Sequence, residues 1–222
     1  MELNNIYCGD CYELIKQIPD KSVDLIYTDI PYLFANHGAG KSELATRLTN
    51  REKYLMGVND KYENAKGTSN SENLRIWKGI VKSSLNVISI EDGIDYSIFD
   101  EYMRVMKKMN LFIWCSKMQI LDILNYFSKF GTFDILVWCK TNPIPATNNN
   151  WLPDIEYCLY FREKGVRLND GYELKHKWFT SPINKKDKDL YGHPTIKPLD
   201  LVKKHILHTT DVGGGCIRYI YG

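Results

Sequence analysis

Asp29, Ile30, Pro31 and Tyr32 follow directly on the apolar run at 23–28, and their types and spacing are those best suited to chemistry. The run reads as a strand buried on both faces. In a parallel α/β sheet, ligands bind beyond the carboxyl ends of the strands. A carboxylate, a turn and an aromatic ring therefore stand together where reacting groups belong. A strand terminus with an Asp and a Pro turn is also common in its own right, so the tetrapeptide needs support from the rest of the chain.

The elements that must position it are legible in outline. A short strand is expected over 5–8 and a helix from Asp10 to about Ile18, where Pro19, Asp20 and Lys21 break it. Ile94, Ile98, Phe99, Tyr102, Val105, Met106 and Met109 recur at helical spacing. They lead into a strand over 111–115. Ile120, Leu124 and Phe127 mark the next helix, 133–139 the next strand, 156–161 another, and about 199–208 a final helix. This alternation predicts an α/β domain with a mainly parallel sheet. Between these elements, 33–67 is polar and weakly periodic, which predicts a mobile loop; a loop so long inside a compact domain is usually functional or disordered. After Lys140 the rhythm fails, and 162–189 is basic and aromatic.

Three segments in order resemble the DNA amino-methyltransferases, the enzymes that modify adenine N6 or cytosine N4. Asp29-Ile30-Pro31-Tyr32 resembles their Asp-Pro-Pro-Tyr signature, with Ile30 in the first proline position. Gly9-Asp10-Cys11 and the approach through Ile18 to Asp24 resemble the entry segment. His193-Pro194-Thr195-Ile196-Lys197-Pro198 resembles the motif lining the methionine side of the cofactor pocket. Residues 138–143 and 156–158 are similar to phage and prophage members. The resemblance spans Ile6 to about Thr210 and implies a Rossmann-like, S-adenosylmethionine-dependent sheet in circularly permuted order. It implies double-stranded DNA as substrate and leaves open a homodimer and a cognate restriction endonuclease as further partners; the setting expected from the cysteines is cytoplasmic. An Asp at the first position leans toward adenine N6.

The chemistry explains the residue types. An exocyclic amino nitrogen is a poor nucleophile because its lone pair is delocalised into the base. The Asp29 carboxylate and the Ile30 carbonyl can both accept hydrogen bonds from that group, localising the lone pair and aiming it at a methyl sulfonium. The base must leave the duplex to reach such a site, and Tyr32 offers a face for stacking, worth roughly 1–3 kcal/mol. Ile30 keeps the carbonyl and loses only proline's fixed φ. By resemblance, Asp10, Thr195, Lys197 and Pro198 line the cofactor pocket. Asp10 also fits a helix N-cap, and Lys197 a plain lysine before a helix.

Lys175, Lys177, Trp178, Lys185 and Lys186 are the candidate DNA contacts, with a solvated loop as the plainer reading. The domain reading is a catalytic core over 1–140, a target-recognition insertion over 141–192, and a cofactor-pocket segment over 193–222. Net charge is only +2, so any DNA surface is a local patch. No apolar stretch approaches a membrane span of about 20 residues, and no secretory leader is visible. The six cysteines read as reduced thiols; Cys8 and Cys11 lack a second pair, and His205 and His208 read as surface or packing, so no metal is expected. Residues 35–42 imitate a phosphate-binding loop, with Ala35 where its leading glycine belongs; a nucleotide triphosphatase is the minor alternative.

The resemblance also sets an expectation for the end of the chain, where a strand and the cofactor's glycine loop should begin near Gly213. Codons for 213–222, read one base forward, can encode Val-Val-Val-Val-Phe-Asp-Ile-Phe-Met-Gly. A frameshift that leaves the sheet incomplete at its C-terminus is the expectation. The alternative function is then a non-catalytic remnant that still binds DNA.

Overall fold

The computed structural model describes residues 4–33, 94–143, 151–169, 171–183, 190, 196–211 and 216–220. The chain divides into two compact units, Met1–Pro31 with Ile94–Gly222, and Tyr32–Gly93. Every element below belongs to the first. The loop expected over 33–67 lies outside the described residues apart from Leu33, as does the phosphate-loop look-alike.

The strands are β1 (Leu25–Asp29), β2 (Asn110–Cys115), β3 (Thr132–Lys140), β4 (Ile155–Arg162), β5 (Trp178–Ser181) and β6 (Cys216–Ile220). The helices are α1 (Cys11–Ile15), α2 (Ile98–Val105), α3 (Ile120–Phe127) and α4 (Leu199–Thr209). The sheet order is β5-β3-β4-β2-β1-β6. β1 pairs in parallel with β2 and β6, and β3 with β5, while β4 runs antiparallel to both β2 and β3.

The α/β reading therefore holds, with one qualification to "mainly parallel". Strands β1, β2 and β3 share a direction because helical crossovers separate them. The chain returns from β3 to β4 without a crossover, so β4 slots in reversed. That reversal brings the start of β4 to the same end of the sheet as the carboxyl ends of β1, β2 and β3.

Alternation along the strands divides the core in two. Ile26, Leu111, Ile113, Leu159 and Phe161 face α2 and α3, meeting Phe99, Tyr102, Val105, Ile123 and Phe127. Leu25, Tyr27, Phe112, Trp114, Cys158 and Tyr160 face α4, meeting Leu201 and Val202. β2 is buried throughout, as a strand covered on both faces must be.

Two sequence expectations need correction. Residues 5–8 form no strand, and Ile6 is 94% exposed; a single aliphatic side chain among asparagines has too little surface to bury. α1 stops at Ile15 instead of continuing to Ile18. Arg104, on α2, donates to the Ile15 and Ile18 carbonyls at 2.9 and 2.8 Å, satisfying the helix end from outside. Near the end of the chain, where a strand was expected to begin at about Gly213, the structure has β6. Cys216–Ile220 pairs along β1 from Leu25 to Asp29, in keeping with its Ile and Tyr content.

Among the described residues the cysteines Cys8, Cys11, Cys115, Cys139 and Cys158 are free thiols, and no cluster suited to a metal is found. No helix there is long and apolar enough to cross a membrane.

Candidate active site

Asp29 is the last residue of β1 and lies beside Trp114 in the ladder. The next residue prolongs that ladder: the Ile30 amide donates to the Trp114 carbonyl at 3.3 Å, and Ile30 is 2% exposed. A proline has no N–H to make this bond. Ile30 therefore fixes the turn by an extra rung and a buried side chain where proline would fix it by its ring. The Pro31 carbonyl accepts from Gln119 Nε2 at 2.9 Å, and Gln119 Oε1 in turn accepts from the Ser116 amide at 3.0 Å. Gln119 is fully buried, so both of its amide partners are internal.

The charges at this end of the sheet alternate in sign. Lys197 Nζ lies 2.7 Å from Asp29 Oδ2 and 3.0 Å from Glu156 Oε2. Glu156 Oε1 lies 2.7 Å from Lys140 Nζ. Lys140 ends β3, Glu156 begins β4 one residue in, and Lys197 sits just before α4. The Lys197 ammonium also lies 5.2 Å from the centre of the Trp114 ring. That ring is held below: Trp114 Nε1 donates to Tyr27 Oη at 2.8 Å, and Tyr27 Oη is 3.3 Å from His205 Nδ1. His205 stacks on Phe112 with 6° between the rings. Burial, then the positive neighbours Lys204 and His208, push its imidazolium down to about 3, which keeps it neutral and fits the packing reading. Cys115, beside Asp29, is pushed up to about 12 by burial and then by the Asp29 charge, so its thiol is no nucleophile.

Burial pushes the Glu156 carboxyl up, but Lys197 and Lys140 outweigh it and hold the group below the ordinary carboxylate value. Burial pushes the Lys197 ammonium down, but Asp29 and Glu156 outweigh it and hold the group above the ordinary lysine value. The stability Glu156 contributes is complete above the unfolded value of 4.5 and is lost as pH falls through its lowered folded value. The stability Lys197 contributes is complete below 10.5 and is lost as pH rises through its raised folded value. Urea unfolding at a series of pH values should therefore show a plateau between these limits. Glu156→Gln should remove part of the fall on the acid side; an unchanged acid limb would show that Glu156 is not ionised in the fold.

The other expected site residues are placed unevenly. Asp10 accepts from the Tyr12 amide at 2.8 Å and caps α1. Pro198 precedes α4 at its N-cap, and Thr195 lies outside the described residues. Lys177 pairs with Asp134. Lys175 ends a single 3₁₀ turn, Glu173–Lys175. Trp178 is 54% exposed and its ring centre lies 5.2 Å from that of His176. Lys185 and Lys186 lie outside the described residues. The basic segment is not all loop, since β5 extends the sheet beside β3.

Glu156, Lys140 and Gln119 were not singled out as site residues by the sequence. A carboxylate at the start of one strand and a lysine at the end of the one before it were the available signal.

Comparison with known proteins gives a consistent result. A family model described as DNA methylase matches residues 23–217. The Type II methyltransferase M2.MboI of Moraxella bovis is 24% identical, over 93% of this chain and 71% of its own length. The Type II methyltransferase M.HinfI of Haemophilus influenzae is 26% identical, over 94% of this chain and 56% of its own length. This chain therefore spans little more than half of the second relative. Among solved structures, an M1.HpyAVI–SAM complex superposes with a TM-score of 0.54 at 19% identity, covering 96% of this chain and 80% of that one. The cytosine-N4-specific PvuII DNA methyltransferase gives 0.53 at 13%, covering 96% and 72%. At these identities the structural likeness establishes the fold.

Proposed function

The chain belongs to the DNA methylase family of N6- and N4-directed enzymes, and from that premise we propose that it methylates the exocyclic amino group of a flipped base in double-stranded DNA, with adenine N6 as the target. The observation that carries the reading is Asp29 at the carboxyl end of β1, with Oδ2 committed to Lys197. Its other oxygen is the acceptor for the amino group. The Ile30 carbonyl is the second acceptor, and Tyr32 the stacking face.

Bound S-adenosylmethionine supplies the electrophilic methyl group, which leaves sulfur as the new N–CH3 bond forms. The described residues fit that cofactor at their acidic members. Asp10 is exposed and has one carboxylate oxygen beyond its capping bond, and Asp29 offers negative charge toward a sulfonium. Lys197, expected on the cofactor, has its charge shared between Asp29 and Glu156, so in this reading it serves the base-binding carboxylate. Asp29 and the Ile30 carbonyl draw the amino protons into line and leave the nitrogen lone pair directed at the methyl carbon. The surplus proton on the nitrogen then passes along its hydrogen bond to the free-facing Asp29 carboxylate oxygen and on to water.

Lys175, Lys177, Lys185, Lys186 and Trp178 are the proposed DNA contacts. Lys177 would exchange Asp134 for a phosphate at little cost, since an ion pair of such exposure contributes about 0–1 kcal/mol.

The test is to incubate the chain with DNA and S-adenosylmethionine, digest the product and identify nucleosides by mass spectrometry. N6-methyladenine is expected. N4-methylcytosine would overturn the base assignment, and unmodified DNA the activity itself.

A further inference from the structure

We propose that Glu156 is a positioning residue that orients Asp29 through Lys197; the inference rests on the reading of Asp29 as the amino-group acceptor. An Asp carboxylate turns easily about its terminal torsion, which is broad and roughly two-fold. Left to itself Asp29 would present either oxygen in a range of directions. Lys197 can stop that rotation only if its own flexible stem is held, and a lysine has three donors and four rotatable carbons.

Glu156 supplies that hold. It binds Lys197 at 3.0 Å as a second anion beside Asp29 at 2.7 Å, while the Trp114 ring lies 5.2 Å from the same ammonium. Glu156 is itself gripped at its other oxygen by Lys140 at 2.7 Å. Its backbone lies in β4, paired with Trp138 of β3. Each member thus stands on a strand, at a strand end or at the helix entry, the kind of support that keeps a reacting group in one geometry. A buried ion pair is a poor way to stabilise a fold, because desolvation offsets most of its attraction. Four alternating charges ending on Asp29 are better explained by what they do to Asp29: Oδ2 is fixed, and Oδ1 is left pointing one way.

The experiment compares the full chain with Glu156→Gln and with the charge-balanced Glu156→Gln/Lys140→Gln. Misplacing a reacting group costs rate and not binding, so kcat for Glu156→Gln should fall about ten- to a hundredfold with both KM values unchanged. The double variant should regain folding stability, measured by urea unfolding, without regaining kcat. If kcat recovers together with stability, or never falls, Glu156 is only a structural partner and the proposal is wrong. A second readout needs no turnover: acylation of lysines followed by mass spectrometry. Lys197, 7% exposed in the fold, should be protected in the wild type and become reactive in Glu156→Gln. Equal protection in both overturns the holding role. Absence of methyl transfer by the wild type, with protection lost in the variant, would instead remove the functional reading and leave the holding role standing.

Discussion

Asp29→Ala should reduce methyl transfer by roughly a hundred- to a thousandfold, the usual loss when one preorganised group facing a developing charge is removed. The loss should appear in kcat, read by single-turnover transfer of labelled methyl, with cofactor and DNA affinity nearly unchanged. The fold should survive, because Lys197 keeps Glu156 as its anion at 3.0 Å. Asp29→Asn is the sharper comparison. It preserves shape and one carbonyl oxygen but removes the charge, and an uncharged acceptor bonds about half as strongly. It should therefore fall between wild type and Asp29→Ala. Equal rates for Asp29→Asn and the wild type would show that the carboxylate charge is not what activates the amino group.

The largest effect on stability is expected from Lys197→Met. The substitution removes the cation shared by two carboxylates, and breaking a buried pair from one side costs about 3–5 kcal/mol. The lower end applies here. Asp29, whose side chain is 27% exposed, can recover water, while Glu156 at 14% keeps Lys140. The penalty comes from stranded charge, so adding Glu156→Gln to Lys197→Met should recover part of it. Urea denaturation midpoints measure both. If Lys197→Met is as stable as the wild type, the carboxylates are not desolvated and the relay is weaker than its distances imply.

What the sequence disclosed follows from what short-range pattern can encode. The apolar run before Asp29, the helical spacing of Ile98, Phe99, Tyr102 and Val105, and the strand at Leu111 all report burial, and burial has a period. The place of Asp29 at a strand end and of Lys197 before a helix was legible by type and order, but the ion pair between them was not. Nor was the contact of Glu156 with Lys197, because it depends on the direction of β4, and alternation reads the same in either direction. β5 was hidden for a different reason: four residues, Trp178 to Ser181, are too few to show a period inside a basic stretch. The early end of α1 depends on Arg104, a residue more than eighty positions away, and no local signal carries it. At 5–8 the pattern misled, since strand-forming residue types do not supply a neighbour to pair with.

The reversal of β4 also has a consequence for how the chain can vary. Its connection from β3 leaves and re-enters the sheet at the same place, and that neck is drawn shut by the Lys140 amide on the Asp154 carbonyl at 2.7 Å. Once the ends of a connection are tied, doubling its length costs only about 0.6 kcal/mol. A change in the length of that connection should therefore leave the lysine at one end of it and the carboxylate just past the other in register. The Lys140–Glu156 pair, and through it the charge pattern that reaches Asp29, is thereby insulated from insertions and deletions between the two strands.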